Sequence, residues 1–280
     1  MNKIKIVTDS TVDLNNELIN NYGIEVVPLS LYIDGQVYTD GQDITPEEFV
    51  QKMKESEELP KSSQPPTGVF LELYDRLSDE GYDVISIHMT GGMSGTVQSA
   101  ETAASMAKGK VTVVDSRFIS RGLSFQVIEA AKLAQSGHSH DEIIDVIQKI
   151  RDNTRLYVYV DTLENLIKGG RIGKGKGFIG SLLNIKPIAS LEDGVYTPVT
   201  KVRSHLKAAK YLATEFAKDV EGKTIKAVAI AHAEGMELAE KVKKTVFELT
   251  GYNEIDIVYT TPIVSTHTGP GAIGFMYYFE

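Results

Sequence analysis

The chain has 280 residues, of which 42% are hydrophobic and none is cysteine, and its formal net charge is −9 at pH 7. This length exceeds the usual size of a single hydrophobic core, so we expect one large domain or two smaller ones. The missing cysteines exclude disulfides and thiolate metal sites, and the negative charge repels nucleic acid. The N-terminus reaches Asp9 after only a few apolar residues, and no run of about 18 apolar residues occurs, so we expect neither a signal peptide nor a membrane-spanning segment, and a cytoplasmic protein.

Residues 1–155 alternate between strand and helix patterns. Runs rich in Ile and Val predict strands, whereas Thr45 followed by Pro46 is typical of a helix start. The predicted strands are 3–9, 25–33, 84–88 and 111–114, and the predicted helices are 13–18, one that starts at 45, 68–77, 94–107, 120–134 and 141–151. Because strands separated by helices favour parallel pairing, we predict a three-layer α/β domain with a mainly parallel sheet.

Residues 156–280 follow a different order. Pro187–Leu191 and Val195–Thr200 are joined by Glu192-Asp193-Gly194, which is a hairpin signal. The other predicted strands are 156–160, 225–231, 255–259 and 273–279, and the predicted helices are 163–167, 204–217 and 236–249. An antiparallel hairpin among strands and helices predicts a second α/β domain with a mixed sheet.

The turn Thr90-Gly-Gly-Met-Ser-Gly-Thr96 lies between a predicted strand and a predicted helix, where ligands collect in open parallel sheets. Its glycines let the backbone approach a ligand, and the amides of a helix N-terminus favour a carboxylate or phosphate. The alternative, which the sequence leaves equally open, is that Ser94 or Thr96 simply caps the helix. A nucleophile elbow needs Gly-x-Ser-x-Gly, and Thr96 at its last position counts against a hydrolase.

Two further segments carry candidate binding groups. Lys61–Pro66 is a polar loop that can donate several hydrogen bonds to an oxyanion, although turn geometry alone also explains its serines and prolines. Ser265–Gly271 places His267 among hydroxyls and turn residues, but a lone histidine is more often structural than functional. The six histidines lack the helical spacing of a zinc site, so we predict no metal site.

The stretch Lys168–Gly177 is the most unusual in the chain. Between Asn165 and Leu191 there are five basic residues and no acidic one, which makes a local positive island. The stretch nearly satisfies two nucleotide motifs, but both follow a predicted helix where a strand is required, and the first ends in glycine rather than Ser or Thr. The planar fork of Arg171 suits phosphate, and the loop could dock a partner; the alternative is a flexible, exposed loop.

Asp9 and Asp13 look at first like the carboxylates of a phosphatase site. The haloacid-dehalogenase pattern needs its second Asp where Thr11 stands. We therefore expect Asp9 to bond the surrounding turns, and Thr11 or Asp13 to cap the next helix.

Six segments, in this order, resemble the DegV family: Val7–Thr11, Ser62–Pro65, Ser94–Thr96, Val114–Ser116, Lys168–Ile172 and His267–Gly271. The resemblance covers essentially the whole chain. It implies two α/β domains with a fatty acid at their junction, and the role of the non-catalytic, lipid-binding subunit of a bacterial fatty acid kinase. Such a subunit presents a long-chain fatty acid to the catalytic kinase subunit, which uses ATP to form an acyl phosphate for phospholipid synthesis.

The resemblance also implies roles for single residues. Those that resemble the family's carboxylate-binding group are Ser94, Ser62, His267, Gly95 and Ser63. Arg171 resembles the arginine needed for productive transfer with the kinase. The chain departs from the family where Ser62 replaces a frequent Thr and Gly91-Gly92 replaces Ser-Gly, which leaves chain-length preference open. We expect no cofactor besides the bound fatty acid, and a monomer that makes at most transient contact with a membrane.

Two alternatives remain beside this interpretation. The chain could be an enzyme, either a serine esterase that uses Ser94 and His267 or a phosphotransferase similar to dihydroxyacetone kinases that uses a histidine. It could also be a regulatory or structural protein whose bound lipid is only a filler.

Overall fold

The structure is a computed structural model that describes residues 3–181 and 186–280. Its strands are β1 (Lys3–Asp9), β2 (Glu25–Val27), β3 (Ser30–Ile33), β4 (Gln36–Thr39), β5 (Lys61–Ser63), β6 (Tyr82–His88), β7 (Val111–Asp115), β8 (Thr154–Tyr159), β9 (Lys186–Glu192), β10 (Val195–Val202), β11 (Ile225–Ala233), β12 (Ile255–Tyr259) and β13 (Ala272–Phe279). Its α-helices are α1 (Asn16–Tyr22), α2 (Pro46–Glu55), α3 (Thr67–Asp79), α4 (Thr96–Met106), α5 (Ser120–Gln135), α6 (His140–Asn153), α7 (Glu164–Lys168), α8 (His205–Asp219), α9 (Met236–Thr250) and α10 (Pro262–Thr268). Short 3-10 helices cover Ser10–Val12 and Gly173–Ser181.

The N-terminal half contains a four-stranded sheet in the order β2-β1-β6-β7, and all three pairings are parallel. This confirms the predicted parallel sheet. One face packs against α3 and α4 through a cluster that includes Phe70, Tyr74 and Ala100. The other face packs against α5. The β-rich runs therefore form the buried middle layer of a three-layer α/β unit, as expected when helices cover both faces of a parallel sheet.

A small antiparallel sheet in the order β4-β3-β5 was not predicted. The prediction of one strand over 25–33 was wrong, because the chain leaves the parallel sheet after Val27 and enters this second sheet at Ser30. Pro28 lies at the break and cannot donate a ladder hydrogen bond. The hairpin turn at Asp34-Gly35 has positive φ at both residues, as a type I′ hairpin turn requires. The polar segment that starts at Lys61 begins as the edge strand β5.

The C-terminal half contains a six-stranded sheet in the order β10-β9-β8-β13-β11-β12. Among the described strands of this sheet, only β11 and β12 pair in parallel, which confirms the predicted mixed sheet. Alternate residues face opposite sides: Tyr159 and Tyr277 lie in the core under α8 and α9, whereas their neighbours Val158 and Met276 face the N-terminal half.

One hydrophobic core joins the two halves. It contains Ile85 and Leu123 from the first half and Val158 and Met276 from the second. Helix α5 lies in the middle, in contact with β1 on one side and with β11 and β13 on the other. The division into 1–155 and 156–280 stays a prediction, since the halves share this core.

Helix α10 connects the halves and was also not predicted. Asp13 holds its start: the carboxylate accepts hydrogen bonds from the Ser120 hydroxyl, from Thr260 Oγ1 at 2.8 Å and from the Thr261 N–H at 2.9 Å. The expectation that Thr11 or Asp13 caps α1 was therefore wrong. Asn15 caps that helix, because its Oδ1 accepts the Leu18 N–H at 2.9 Å.

Candidate functional site

A cavity of about 270 Å³ lies between the two halves. It is lined by Leu29, Ser62, Ser63, Gln64, Met89, Met93, Ser94, Ile119, Val158, Leu166, Arg171, Tyr196, Ile263, Val264, His267 and Thr268. Five of the six residues singled out in the sequence are in this wall. The sixth, Gly95, caps α4 behind the wall, where a Cβ would overlap the Gln64 side chain. The fold thus brings together segments that are up to 205 residues apart.

The turn that carries Ser94 is anchored on both sides. Asp9 accepts the Met89 N–H at 2.8 Å, and the Phe118 carbonyl accepts the Thr90 N–H at 2.9 Å. Asp9 therefore bonds the surrounding turns, as expected. These buried hydrogen bonds hold the carboxyl end of β6 in place, so the turn has little freedom to move.

Ser94 both accepts a hydrogen bond from the first turn of α4 and lines the cavity. Its Oγ accepts the Thr96 N–H at 3.2 Å and lies 2.8 Å from Thr96 Oγ1. The helix N-cap itself is Gly95, which has no side chain to accept that amide. When the Thr96 hydroxyl donates to Ser94, the Ser94 hydroxyl proton is free for a ligand. The two interpretations of Ser94 are therefore compatible.

Ser62 and His267 form the second polar pair. Ser62 Oγ lies 2.7 Å from His267 Nε2, and His267 Nδ1 is buried without a hydrogen-bond partner. An unpaired buried acceptor is tolerated better than an unpaired N–H, which favours the tautomer protonated at Nε2. In that tautomer the imidazole donates to Ser62, and the Ser62 hydroxyl proton is available to an anion. Burial, and secondly the charge of Arg171, lower the pKa of His267 to about 4, so the ring is neutral at pH 7.

Arg171 supplies the positive charge of the cavity wall. Its Nε donates to the Met93 carbonyl at 3.1 Å and its Nη1 donates to the Gly169 carbonyl at 2.6 Å. No carboxylate of the described residues lies within ion-pair distance of the guanidinium. The wall therefore carries an uncompensated cation beside three hydroxyl or imidazole groups, which is an arrangement that favours an anion.

The positive island around Arg171 is otherwise partly neutralised. Lys168 pairs with Glu164 at 2.5 Å, and Lys174 pairs with Glu192 at 3.0 Å. The glycine-rich stretch forms the 3-10 helix Gly173–Ser181 and follows α7, so neither nucleotide motif has the strand that it requires.

Apart from Gln64 and Thr268, the rest of the wall is apolar, and a second cavity of about 20 Å³ continues from it. Both cavities share Ile119, Val158, Val264 and Thr268. Small residues such as Ala231 and Gly274 line the second one, over the inner face of the six-stranded sheet. The site therefore has a polar, cationic end and an apolar extension, which fits an amphipathic anion.

The sequence did not predict the apolar wall of the cavity, because apolar lining residues form no recognisable motif. Val158 and Met276 are ordinary inward-facing strand residues in a period-2 pattern, and only strand pairing shows that they face a cavity.

The described residues contain no cluster of three or more potential metal ligands. Within residues 3–181 and 186–280, no helix has the length and apolarity needed to cross a bilayer.

Known proteins resemble this chain in both sequence and fold. A family model described as "Uncharacterised protein, DegV family" matches residues 3–280. A DegV domain-containing protein of Listeria innocua is 50% identical over 281 residues, with 100% of both chains covered. A DegV domain-containing protein of Staphylococcus aureus is 43% identical over 276 residues, with 99% of both chains covered.

Two solved structures carry the same fold. One, described as fatty acid binding of a DegV family protein from Thermus thermophilus, has a TM-score of 0.93 at 34% identity and covers 99% of this chain and 100% of its own. The other, described as DegV, a fatty acid binding protein from Bacillus subtilis, has a TM-score of 0.90 at 31% identity and covers 100% of both chains. The family match, the high identities and the shared fold together show that this chain belongs to the DegV family.

Proposed function

We propose that the protein binds one long-chain fatty acid, with the carboxylate at Ser62 and Ser94 and the acyl chain in the apolar part of the cavity. The observation that carries this proposal is the single cavity in which the two hydroxyls and the Arg171 guanidinium lie at one end of an apolar wall. The similar proteins from Thermus thermophilus and Bacillus subtilis are described as binding fatty acids, which supports it.

The energetics suit such a ligand. Burying about 14 methylenes at about 0.8 kcal/mol each gives roughly 11 kcal/mol before ordering and association costs. A cavity of about 270 Å³ is at the low end for a drug-sized ligand, so a long chain must widen it. The adjoining small cavity gives the direction in which the acyl chain would extend, because the two cavities share Ile119, Val158, Val264 and Thr268 as lining residues.

We further propose that the bound acid is presented to a separate kinase subunit, which phosphorylates its carboxylate with ATP for phospholipid synthesis. In this role the chain is a cytoplasmic, non-catalytic monomer without a cofactor, and Arg171 serves the transfer with the kinase. The position of Arg171 in the wall supports this, since its guanidinium can meet a carboxylate or a phosphate.

An enzymatic role is the second candidate, because the 2.7 Å contact of Ser62 with His267 has the spacing of a nucleophile and its base. Two observations weigh against it. The Nδ1 atom of His267 lacks an orienting carboxylate, and the pKa of His267 is lowered to about 4. An esterase that uses Ser94 as its nucleophile is disfavoured separately, because His267 contacts Ser62 and not Ser94. Hydrolysis of acyl esters that disappears in both Ser62→Ala and His267→Ala would favour the enzyme.

Binding is tested by extracting lipid from the purified protein and by titrating the delipidated protein with a fluorescent fatty acid. We expect near-stoichiometric fatty acid in the extract. Ser62→Ala and Ser94→Ala should each weaken binding by about 10- to 100-fold, because each loses a hydrogen bond to a charged group. Ser105→Ala is the control, since its hydroxyl only donates to the Thr102 carbonyl on the surface of α4. A delipidated wild type that binds no fatty acid would refute the proposal.

The transfer role is tested with Arg171→Ala in the presence of a kinase subunit. We expect this variant to retain lipid, because burial of the acyl chain and the Ser62 and Ser94 hydroxyls supply most of the binding free energy, and to lose acyl-phosphate formation. Loss of lipid binding instead would contradict the division of roles between Arg171 and the serines. A wild-type protein that changes no kinase reaction would favour the regulatory or structural alternative.

A further inference from the structure

The end of α10, the helix that carries His267, lacks a normal hydrogen-bond donor. The Thr266 carbonyl would ordinarily accept the N–H of the residue four positions later, but that residue is Pro270, which has none. Asn165, from α7, fills this gap: its Nδ2 donates to the Thr266 carbonyl at 3.0 Å. The Asn165 side chain is buried, with 8% of the residue exposed. An amide from another helix therefore completes the hydrogen bonding next to His267.

Asn165 also holds Gly169, the residue that packs against the His267 imidazole. Its backbone carbonyl accepts the Gly169 N–H at 2.8 Å, and Gly169 packs against the His267 ring so closely that a Cβ there would clash with Nδ1. The Gly169 carbonyl in turn accepts a hydrogen bond from Arg171. The side chain of Asn165 thus reaches the helix of His267, while its backbone reaches the turn that leads to Arg171.

We propose that Asn165 is a positioning residue for the carboxylate site, which fixes His267 against Ser62 without touching the ligand. The inference rests on the proposed fatty-acid binding and deepens it. The hydrogen bond to Thr266 holds α10, and with it His267 Nε2, 2.7 Å from Ser62 Oγ. In the tautomer protonated at Nε2, the imidazole then donates to Ser62 and leaves the Ser62 proton for the carboxylate.

The chemistry requires an amide rather than a carboxylate. Oδ1 of Asn165 lies beside Gly269, and a Cβ at position 269 would be only 2.9 Å from it, so the amide fits there because residue 269 has no side chain. An aspartate of the same shape would place an anionic oxygen against the Thr266 carbonyl, and the two acceptors would repel each other. Asn165→Asp is therefore the sharpest single change, because it alters one donor and almost no volume.

A double-mutant cycle separates positioning from general support of the fold. The variants are Asn165→Asp, His267→Ala and the two together, each titrated with a fluorescent fatty acid beside delipidated wild type. We expect Asn165→Asp to weaken binding about 10-fold in the wild-type background and less than about 2-fold when His267 is already alanine, because the residues act as one unit. Equal losses in both backgrounds would overturn the inference.

Asn153→Asp is the matched control. Its Nδ2 also donates to a helix carbonyl, that of Lys149 at 2.9 Å, but at the end of α6 and away from the cavity. It should bind fatty acid like wild type. Where Asn165→Asp fails to fold, Asn165→Ala replaces it in the same cycle.

Nitrogen NMR of the His267 ring gives a readout that ordinary destabilisation does not move. In wild type we expect the signature of the tautomer protonated at Nε2, and in folded Asn165→Asp a mixture of tautomers. An unchanged ring spectrum in that variant contradicts positioning. A wild type that binds no fatty acid would instead refute the proposed function, so the two failures are distinguishable.

Discussion

Ser62 Oγ and His267 Nε2 lie 2.7 Å apart, although the two residues are separated by 205 positions. Ser62 belongs to the edge strand β5 of the N-terminal half, and His267 to α10 of the C-terminal half. The hydrogen bond exists only when the halves are packed together. The polar end of the cavity is therefore a product of that packing, and changes that disturb the packing should disturb ligand binding as well.

Stability should depend on pH through His267. Its pKa is lowered from 6.5 to about 4, first by burial and then by Arg171. The unfolded chain therefore takes up a proton at this ring at a higher pH than the folded chain does. The resulting stability, roughly 3 kcal/mol, is fully present above pH 6.5 and is lost as the pH falls towards 4.

Urea unfolding of wild type and of His267→Gln at pH 7, 5.5 and 4.5 measures this contribution. We expect the variant to lose less stability than wild type between pH 6.5 and 4. His138→Gln is the control because the His138 side chain is exposed. Identical pH dependence in His267→Gln and wild type would contradict the prediction.

Asp40 should make the free energy of unfolding depend on pH with the opposite sign: stability should fall as the pH rises. Burial, and secondly the Asp13 carboxylate, raise the pKa of Asp40 from 3.8 to about 7, and hydrogen bonds from Ser10 and from the backbone of Ile263 offset only part of this shift. The folded state therefore keeps a proton that the unfolded state releases near pH 4. Stability is therefore lost as the pH rises from about 4 to 7, because the unfolded chain ionises at Asp40 while the folded chain keeps this carboxyl protonated.

Asp40→Asn should accordingly raise the free energy of unfolding by an amount that grows from near zero at pH 4 to as much as about 4 kcal/mol at pH 7. Because His267 titrates in the same window with the opposite sign, the difference from wild type at each pH is the quantity to measure. Asp152→Asn, at an exposed position, should show no such growth. If the difference in free energy of unfolding between Asp40→Asn and wild type stayed constant or shrank as the pH rose, the raised pKa of Asp40 would be contradicted.

Gly169→Ala should damage the site by sterics alone. The backbone of Gly169 is helical, with φ −75°, so alanine fits its conformation. The added Cβ would clash with His267 Nδ1 and lie 2.9 Å from the Asn165 carbonyl oxygen. We expect a loss of about 1–3 kcal/mol in the free energy of unfolding and at least about 10-fold weaker fatty-acid binding.

Gly68→Ala is the matched control for that change. Gly68 lies in α3, and a Cβ there meets no atom within 4 Å. This variant should be as stable as wild type or more stable by about 0.5–1 kcal/mol, with unchanged binding. If Gly169→Ala behaves like Gly68→Ala, the close contact under His267 is not important.

Thr90→Val should loosen the contact between the C-terminal hairpin and the site turn. The buried Thr90 hydroxyl donates to the Gly194 carbonyl at 3.0 Å and accepts the Gly92 N–H at 3.1 Å. Valine keeps the shape and loses both bonds, so we expect a loss of about 1–3 kcal/mol in stability. Since Tyr196 of this hairpin lines the cavity, fatty acid should also dissociate faster.

Stopped-flow displacement of a fluorescent fatty acid measures the dissociation rate, and urea unfolding measures the stability. Thr102→Val is the control, because the Thr102 hydroxyl only bonds the Gln98 carbonyl within α4. It should change stability by less than about 0.5 kcal/mol and leave dissociation unchanged. Equal dissociation rates in Thr90→Val and wild type would show that the hairpin contact does not retain the ligand.

Local patterns predicted most of the regular elements. The Ile- and Val-rich run at 3–9, the cap and proline at Thr45-Pro46 and the hairpin turn at Asp193-Gly194 all appear as expected. Each depends on residues that are close in sequence, so the pattern is visible without the fold. The short elements were harder: β4, β5 and α10 have four, three and seven residues, too few for a clear period.

The sequence by itself determined the class of the fold and the types of group at the site, because strand and helix periodicity, helix caps and the Thr90–Thr96 turn are local properties. Only the tertiary structure decided what these groups do together. It joined both halves in one core, placed α10 against β5, and brought His267, Ser62 and Arg171 to one cavity. Burial and neighbouring charge, which depend on the whole fold, then set the protonation of His267 and Asp40.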